Sequence, residues 1–288
     1  MAKGVAGSAG GRQTPPAKLA LTAPHRPLLS PGLARATAPR HLRLMCGRFT
    51  LTDSPSAIAD RFHLDAVEPF PPRYNIAPTQ PILILRADEH RRSEDGGVRR
   101  VAHLARWGLI PGWTKDPSAI PLLFNARSES AHERNSFKAA MRHRRCLVPA
   151  SGFYEWRRES GRRGTPFFIR PRQPGPIAFA GLWETYLAAD GSEIDTATIL
   201  TTSANAALSE IHERMPVTIA PDHAERWLDC RESEVRDVAD LMVPAPDDLF
   251  EAMAVSERVN AVANMGPEVQ EPAAPPGAAP PAAQGSLF

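Results

Sequence analysis

The chain has 288 residues, a formal net charge of +2 and three cysteines. A length of this order allows one or two domains. The cysteines are too far apart to indicate a disulfide framework or a zinc site, and no apolar run is long enough to cross a membrane. We therefore expect a soluble, monomeric, cytoplasmic protein without a metal or cofactor.

The two ends of the chain differ in composition from the middle. Residues 1–44 contain seven Lys or Arg, six prolines and no Asp or Glu, and such a segment cannot bury enough apolar surface to fold. Residues 267–288 contain six more prolines. We expect both ends to be disordered and residues 45–266 to form one domain. Because the leader carries the basic excess, the net charge is no argument that the domain binds nucleic acid.

The middle of the chain predicts short strands and a few helices. Ser54 is a typical N-cap and Pro55 a typical first-turn residue of a helix, and residues 74–78 are typical of a loop. Strands are predicted over 81–85, 98–107, 146–148, 152–157, 167–170, 177–182 and 196–201, turns over 94–97 and 161–164, and helices over 134–143, 206–212 and 222–230. Strands at hairpin spacing with interspersed helices indicate an α+β domain built on antiparallel sheet.

Cys46 follows a methionine, so it becomes an N-terminal residue if synthesis starts at Met45 and that methionine is removed. An α-amine has a pKa near 8 and a lysine amine one near 10.4, so much more of the α-amine is uncharged and nucleophilic at neutral pH. The amine and the neighbouring thiol together trap aldehydes, first as an imine and then as a five-membered thiazolidine. The alternative is that Cys46 is a small buried residue, as most free cysteines are.

The leader of residues 1–44 conflicts with this chemistry, because the nitrogen of an internal cysteine is an unreactive amide. We expect either that translation starts at Met45 or that the leader is cleaved before Cys46, and we favour the first explanation.

Three further segments contain residues capable of acid–base chemistry or of binding anions. Asn125 and Arg127 are two apart and share one side of an extended chain. Glu155 lies among aromatic residues and either faces solvent or is buried with a raised pKa, which suits a proton shuttle. His212 precedes a proline-stopped turn and is either structural or catalytic. Arg48 and Arg127 either hold phosphates or lie on solvated faces.

Together these segments resemble the SRAP family, the abasic-site sensors also labelled SOS response-associated peptidases. The resemblance extends from about Met45 to Gly266. It is carried by Met45–Phe49, Tyr74–Pro78, Trp107–Gly108 with Pro111–Trp113, Asn125–Arg127, Gly152–Trp156, Ile211–Pro216, and Val259–Asn260 with Asn264–Gly266.

The resemblance implies a barrel-like fold with flanking helices and a covalent link between Cys46 and abasic sites in single-stranded DNA. It implies that Asn125, Glu155 and His212 surround Cys46. A single-strand channel is then expected to be lined by Arg48, Asn75, Trp107, Arg127 and Thr201. It also implies a role in the response to DNA damage, associated strand cleavage by β-elimination, and self-processing before Cys46.

Two other functions use the same residues. One is a cysteine peptidase that acts on other proteins through Cys46, His212 and Glu155. The other is a non-covalent reader of modified bases, whose binding does not need the thiol.

The C-terminus contains a separate signal. Gln284, Leu287 and Phe288 are similar to the short peptides that dock on bacterial sliding clamps, with the two apolar side chains in a pocket and the glutamine at its edge. The Pro/Ala-rich residues before them would serve as a tether. The alternative is a plain disordered end.

Overall fold

The computed structural model describes residues 47–93, 96–159 and 162–273. The residues outside this range are 1–46, which include the leader and Cys46, and 94–95, 160–161 and 274–288. The predictions for Cys46, Gln284, Leu287 and Phe288 therefore concern residues outside the described part of the chain.

Twelve strands run through the described residues, joined by short helices and turns. The strands are β1 (Arg48–Leu51), β2 (Arg73–Ile76), β3 (Pro81–Arg92), β4 (Val98–Trp107), β5 (Asn125–Arg127), β6 (Arg145–Ala150), β7 (Gly152–Glu159), β8 (Arg162–Pro171), β9 (Ile177–Leu187), β10 (Glu193–Ser203), β11 (Arg214–Pro216) and β12 (Phe250–Ala254). The α-helices are α1 (Pro55–Phe62), α2 (Lys138–His143) and α3 (Ala224–Leu228), and 3-10 helices span Pro117–Ala119, Pro221–His223, Val235–Leu241, Glu257–Asn260 and Pro267–Gln270. Over these residues, no helix has the length and apolar character needed to span a bilayer.

Five of the strands close into a barrel. Hydrogen-bonded neighbours run from β10 through β4, β3, β6 and β9 and back to β10. All these pairs are antiparallel except β10 and β4, where Thr196 lies opposite Arg106. Where β4 ends, β5 continues along the same edge of β10, again parallel, with Ile199 opposite Asn125. On the other edge of β10, β11 pairs antiparallel beyond the end of β9. Strand β10 therefore has partners on both sides.

A second sheet of five antiparallel strands packs against the barrel, in the order β12–β8–β7–β1–β2. The ring of Phe49 lies edge-on to Trp107 at 5.1 Å between centroids, and that of Phe153 edge-on to Phe179 at 5.8 Å. Edge-to-face aromatic pairs stabilise a core beyond the area that they bury. These contacts make the barrel and the second sheet one continuous hydrophobic core.

The opposite face of the second sheet is also covered. Tyr154 and Phe168 form a smaller cluster with Val255, Val259 and Val269 from the residues that follow β12. Val269 is fully buried, so this cluster includes a residue beyond 266. The boundaries of the domain and the disorder of the chain ends stay predictions.

The α+β class and the largely antiparallel, barrel-like sheet are confirmed. The seven predicted strands lie within β3, β4, β6, β7, β8, β9 and β10. The predicted helix start is also confirmed, because the Ser54 side chain accepts a hydrogen bond from the Ala57 N–H at 3.1 Å.

The helix predicted over 206–212 is wrong, since these residues form consecutive turns. The Asn205 side chain accepts from the Leu208 N–H at 3.1 Å and donates to the carbonyls of Ala245 and Pro246. Such side-chain bonds to the backbone compete with helical ones. The helix predicted over 134–143 is reduced to α2, that over 222–230 to a 3-10 turn and α3, and the predicted loop at 74–78 contains most of β2.

Gly152 offers a test of how tightly β7 and β8 pack. A Cβ atom at this position would lie 2.6 Å from the Ile169 carbonyl oxygen and 2.6 Å from a ring carbon of Phe168. We expect Gly152→Ala to lower the free energy of unfolding by about 1–3 kcal/mol, as overpacking does, measured by urea titration. Gly112→Ala is the control, because the nearest atom to its Cβ is 3.8 Å away. Equal stability of the two variants would contradict the expectation.

Candidate functional site

Glu155 and His212 face each other in the interior. Glu155 is 2% exposed and His212 is 8% exposed, so the carboxylate does not face solvent. Glu155 Oε1 and His212 Nδ1 are 3.9 Å apart. This separation is too long for a hydrogen bond, but it allows an ion pair when the His212 ring is protonated.

The backbone of Arg214 orients the His212 ring. The Arg214 N–H donates to Nδ1 at 3.1 Å, and the Arg214 carbonyl oxygen is 3.2 Å from the same nitrogen. When Nδ1 accepts this N–H, a neutral imidazole carries its proton on Nε2. When the ring is protonated, Nδ1–H can instead donate to the Arg214 carbonyl oxygen. Both charge states of His212 therefore have a backbone partner.

Arg214 is fixed in turn by an ion pair. Its two terminal nitrogens are 2.5 and 2.9 Å from the two oxygens of Glu129, and Nη2 also donates to the Thr201 carbonyl at 2.5 Å. Bidentate pairs of this kind are the strong ones among charge-assisted hydrogen bonds. The Arg214 hydrogen bond holds the pKa of Glu129 below its usual value.

Strand β10 connects the other predicted site residues to this pair. Thr201 lies opposite Arg127 of β5 on one edge and opposite Pro216 of β11 on the other. Asn125 and Arg127 thus lie on one edge of β10, and the strand that follows His212 lies on the other. Asn125 is half-buried and Arg127 is exposed.

Strand β1 approaches the same place from the second sheet. Phe49 contacts Trp107, whose ring lies 6.0 Å from that of Phe124 and whose Nε1 donates to the Phe124 carbonyl at 2.8 Å. This aromatic row connects the start of β1 with the residue before Asn125. Arg48 lies opposite Tyr154, next to Glu155 in β7.

Arg48 and Asn75 hold the C-terminal loop. Arg48 Nη1 donates to Asn75 Oδ1 at 2.8 Å and to the Val259 carbonyl at 2.7 Å. The Asn75 amide donates to the carbonyls of Val259, Ala261 and Asn264. Burial lowers the pKa of Arg48. These contacts occupy both side chains within the protein.

The five residues predicted to line a DNA channel therefore differ in exposure. Arg127 is exposed and Arg48 is half-buried, whereas Asn75, Trp107 and Thr201 are buried. Their role in binding DNA stays a prediction. The sequence analysis did not single out Glu129. It included Arg214 only within the motif Ile211–Pro216 and did not predict that this arginine is buried and paired with Glu129. The run Arg214-Met215-Pro216 after His212 was the sequence signal for this part of the site.

The two described cysteines lie outside this site. Burial raises the pKa of the Cys146 thiol, which is fully buried, and of Cys230, which is partly buried. Among the described residues no group of His, Cys, Asp and Glu is arranged to hold a metal ion.

Comparisons with known proteins agree with this architecture. A family model described as "SOS response associated peptidase (SRAP)" matches residues 45–262. The chain is 37% identical over 228 residues to the abasic site processing protein YoaM of Bacillus subtilis, covering 78% of this chain and 97% of that protein. It is 31% identical over 239 residues to the abasic site processing protein YedK of Escherichia coli, covering 79% and 100%.

A crystal structure of a Bordetella bronchiseptica protein superposes with a TM-score of 0.61 at 28% identity, covering 73% of this chain and all of that one. The family model covers most of the chain, and the relatives match over nearly their whole length. The chain therefore belongs to the SRAP family.

Proposed function

We propose that this protein processes abasic sites in single-stranded DNA by forming a covalent thiazolidine through Cys46. The observation that carries the proposal is the buried pair of Glu155 and His212 beside the start of β1. Relatives named abasic site processing proteins support it. Such a function belongs to the response to DNA damage and to DNA repair in the bacterial cytoplasm.

The position of Gly47 supports the choice of Cys46 as the reacting residue. Arg48 pairs with Tyr154 and Phe49 with Phe153, so continuing this register places Gly47 beside Glu155. Gly47 directly follows Cys46 in the sequence, and this is the support that the described residues give to the choice of Cys46.

The proposed reaction is balanced by the loss of one water. The α-amine of Cys46 attacks C1′ of the ring-opened sugar, and the resulting carbinolamine loses water to give an imine. The thiol then adds to the imine carbon, and its proton passes to the nitrogen. The product is a thiazolidine that joins the protein and the DNA strand without breaking the strand.

Each buried group has a role in moving a proton. His212, with Nε2–H available, donates to the ring oxygen and helps to open the sugar. Glu155 carries protons during imine formation and ring closure, as a positioned general acid–base group does. Asn125 orients the α-amine through a hydrogen bond.

The DNA strand would bind by its phosphates and bases on the adjoining surface. Arg127, which is exposed, and Arg48 would attract phosphates, while the half-buried Trp156 offers a surface for base stacking, worth about 1–3 kcal/mol per base. Asn75, Trp107 and Thr201 would shape this surface from beneath, since their side chains are buried.

Finer activities belong to the same proposal. If the imine loses a proton from the sugar, β-elimination cuts the strand, which is lyase activity. Cleavage before Cys46 by the same thiol and carboxylate would be the peptidase activity and would expose the amine. Docking of the C-terminal peptide on a sliding clamp would bring the protein to replicating DNA.

The first test is covalent capture. We expect the chain that begins at Cys46 to give an adduct with a single-stranded abasic oligonucleotide that survives SDS and heat. Its intact mass should equal protein plus DNA less one water. Cys46→Ala should give no heat-stable adduct, because an imine without the thiol hydrolyses.

The chain that retains residues 1–44 is the control, since its Cys46 nitrogen is an amide. It should give an adduct only in the fraction from which the leader has been cleaved before Cys46, which its intact mass reports. A normal yield of heat-stable adduct from Cys46→Ala would contradict the proposal. Hydrolysis of unrelated peptides without any adduct would favour the peptidase, and binding of modified bases that survives Cys46→Ala without an adduct would favour the reader.

The second test concerns the carboxylate. Glu155→Gln preserves the side-chain shape but removes the proton shuttle, and we expect adduct formation to slow by about 10²–10⁴-fold with unchanged affinity for unmodified single strands. Glu251→Gln, a partly exposed carboxylate of β12 paired with Arg170 at 2.7 Å, is the control. An unchanged rate for Glu155→Gln across the pH range would remove Glu155 from the mechanism.

The third test concerns the C-terminal peptide. Deleting residues 284–288 should abolish capture of the chain by an immobilised sliding clamp, because the pocket loses both apolar anchors. Ser286→Ala, between the anchors and Gln284, should retain capture. Equal capture of the deleted and full chains would dismiss the clamp proposal without affecting the covalent one.

A further inference from the structure

Glu129 links the two chain segments that form the candidate site. It follows β5, which carries Asn125 and Arg127, and it binds the guanidinium of Arg214 at the start of β11. Its carboxylate joins the loop after one segment to the strand that starts the other.

The contacts continue from Glu129 to His212 without a gap. Glu129 holds both terminal nitrogens of Arg214, at 2.5 and 2.9 Å. Arg214 is 8% exposed and its Nη2 also donates to the Thr201 carbonyl at 2.5 Å. Both terminal nitrogens of the Arg214 guanidinium are thus hydrogen-bonded. The backbone N–H of the same residue lies 3.1 Å from His212 Nδ1.

We propose that Glu129 is a positioning residue for His212 in the crosslinking reaction. By fixing Arg214, it keeps Nδ1 as an acceptor, Nε2 as the protonated nitrogen and the ring 3.9 Å from Glu155. This inference rests on the proposed function, because a fixed tautomer is useful only if His212 donates a proton to the sugar.

Glu129 contributes to folding as well as to the site. Its side chain is 53% exposed, whereas that of Arg214 is 9% exposed, and loss of the carboxylate leaves the buried guanidinium without its charged partner, which lowers stability. Catalytic geometry is also sensitive, since a misplacement of about 1 Å can slow a reaction about 10²-fold. The placement of His212 is therefore tested separately from folding.

The test compares Glu129→Gln with Glu133→Gln in the chain that begins at Cys46. Glu133 is in the same turn region, its side chain is 74% exposed, and its Oε1 lies 3.4 Å from His132 Nε2. Single-turnover adduct formation is measured against the concentration of an abasic oligonucleotide. For Glu129→Gln we expect the maximal rate to fall about tenfold, within the range for a small misplacement, while the half-saturating DNA concentration does not rise.

Glu133→Gln should leave both values and the Tm unchanged. Glu129→Gln should lower the Tm, so its rates are measured at a temperature well below its own Tm. A Glu129→Gln variant with the parent's maximal rate overturns the proposal. So does one whose half-saturating concentration rises at an unchanged maximal rate, because Glu129 would then act on DNA binding.

A second measurement does not depend on the reaction. The ¹⁵N shifts of the His212 ring distinguish the Nε2–H tautomer, the Nδ1–H tautomer and the imidazolium. We expect a predominant Nε2–H form in the neutral ring of the parent chain and of Glu133→Gln, and a mixture in Glu129→Gln. Identical ring shifts in all three chains overturn the positioning role, and a parent chain that gives no adduct refutes the proposed function alone.

Discussion

A carboxylate removed from water constrains the whole arrangement around it. Desolvation of an ionised group costs several kcal/mol unless charges and hydrogen bonds offset it, and Glu155 is 2% exposed. The histidine at 3.9 Å offsets part of this cost when its ring is protonated. The surrounding core must hold both groups still, because low dielectric strengthens a well-placed interaction and penalises a misplaced one.

Strand β10 supplies this rigidity to the His212 side of the site. It is paired along both edges, with β4 and β5 on one and β9 and β11 on the other. Consequently Asn125 in β5 and Arg214 in β11, two residues after His212, are both set by one backbone. Sites on paired strands hold their geometry better than sites on loops. The opposite side of the site is set by β7, which lies between β1 and β8.

The strands with the clearest patterns could be predicted from the sequence, and β4 begins and ends at the predicted residues. The placement of Glu155 could not. In a strand with one solvated face, apolar and polar residues alternate. In β7 both Phe153 and Tyr154 are buried, so the pattern does not indicate which face of the strand is exposed to solvent. Arg48 and Arg214 resemble solvated arginines in the sequence, and only the fold shows their carbonyl and carboxylate partners. The short strands β5 and β11 form because they pair with β10, which is distant in the sequence, and a local pattern cannot predict such pairing.

The two described thiols bear on chemical selectivity. A thiolate reacts and a thiol is nearly inert, so a raised pKa withdraws a cysteine from reactions at neutral pH. Cys146 and Cys230 both have raised pKa values because they are buried. The fold thus protects two of the three thiols of the chain from soft electrophiles. Reagents that attack thiolates would leave Cys146 and Cys230 largely unmodified while the domain is folded, and would modify both once it unfolds.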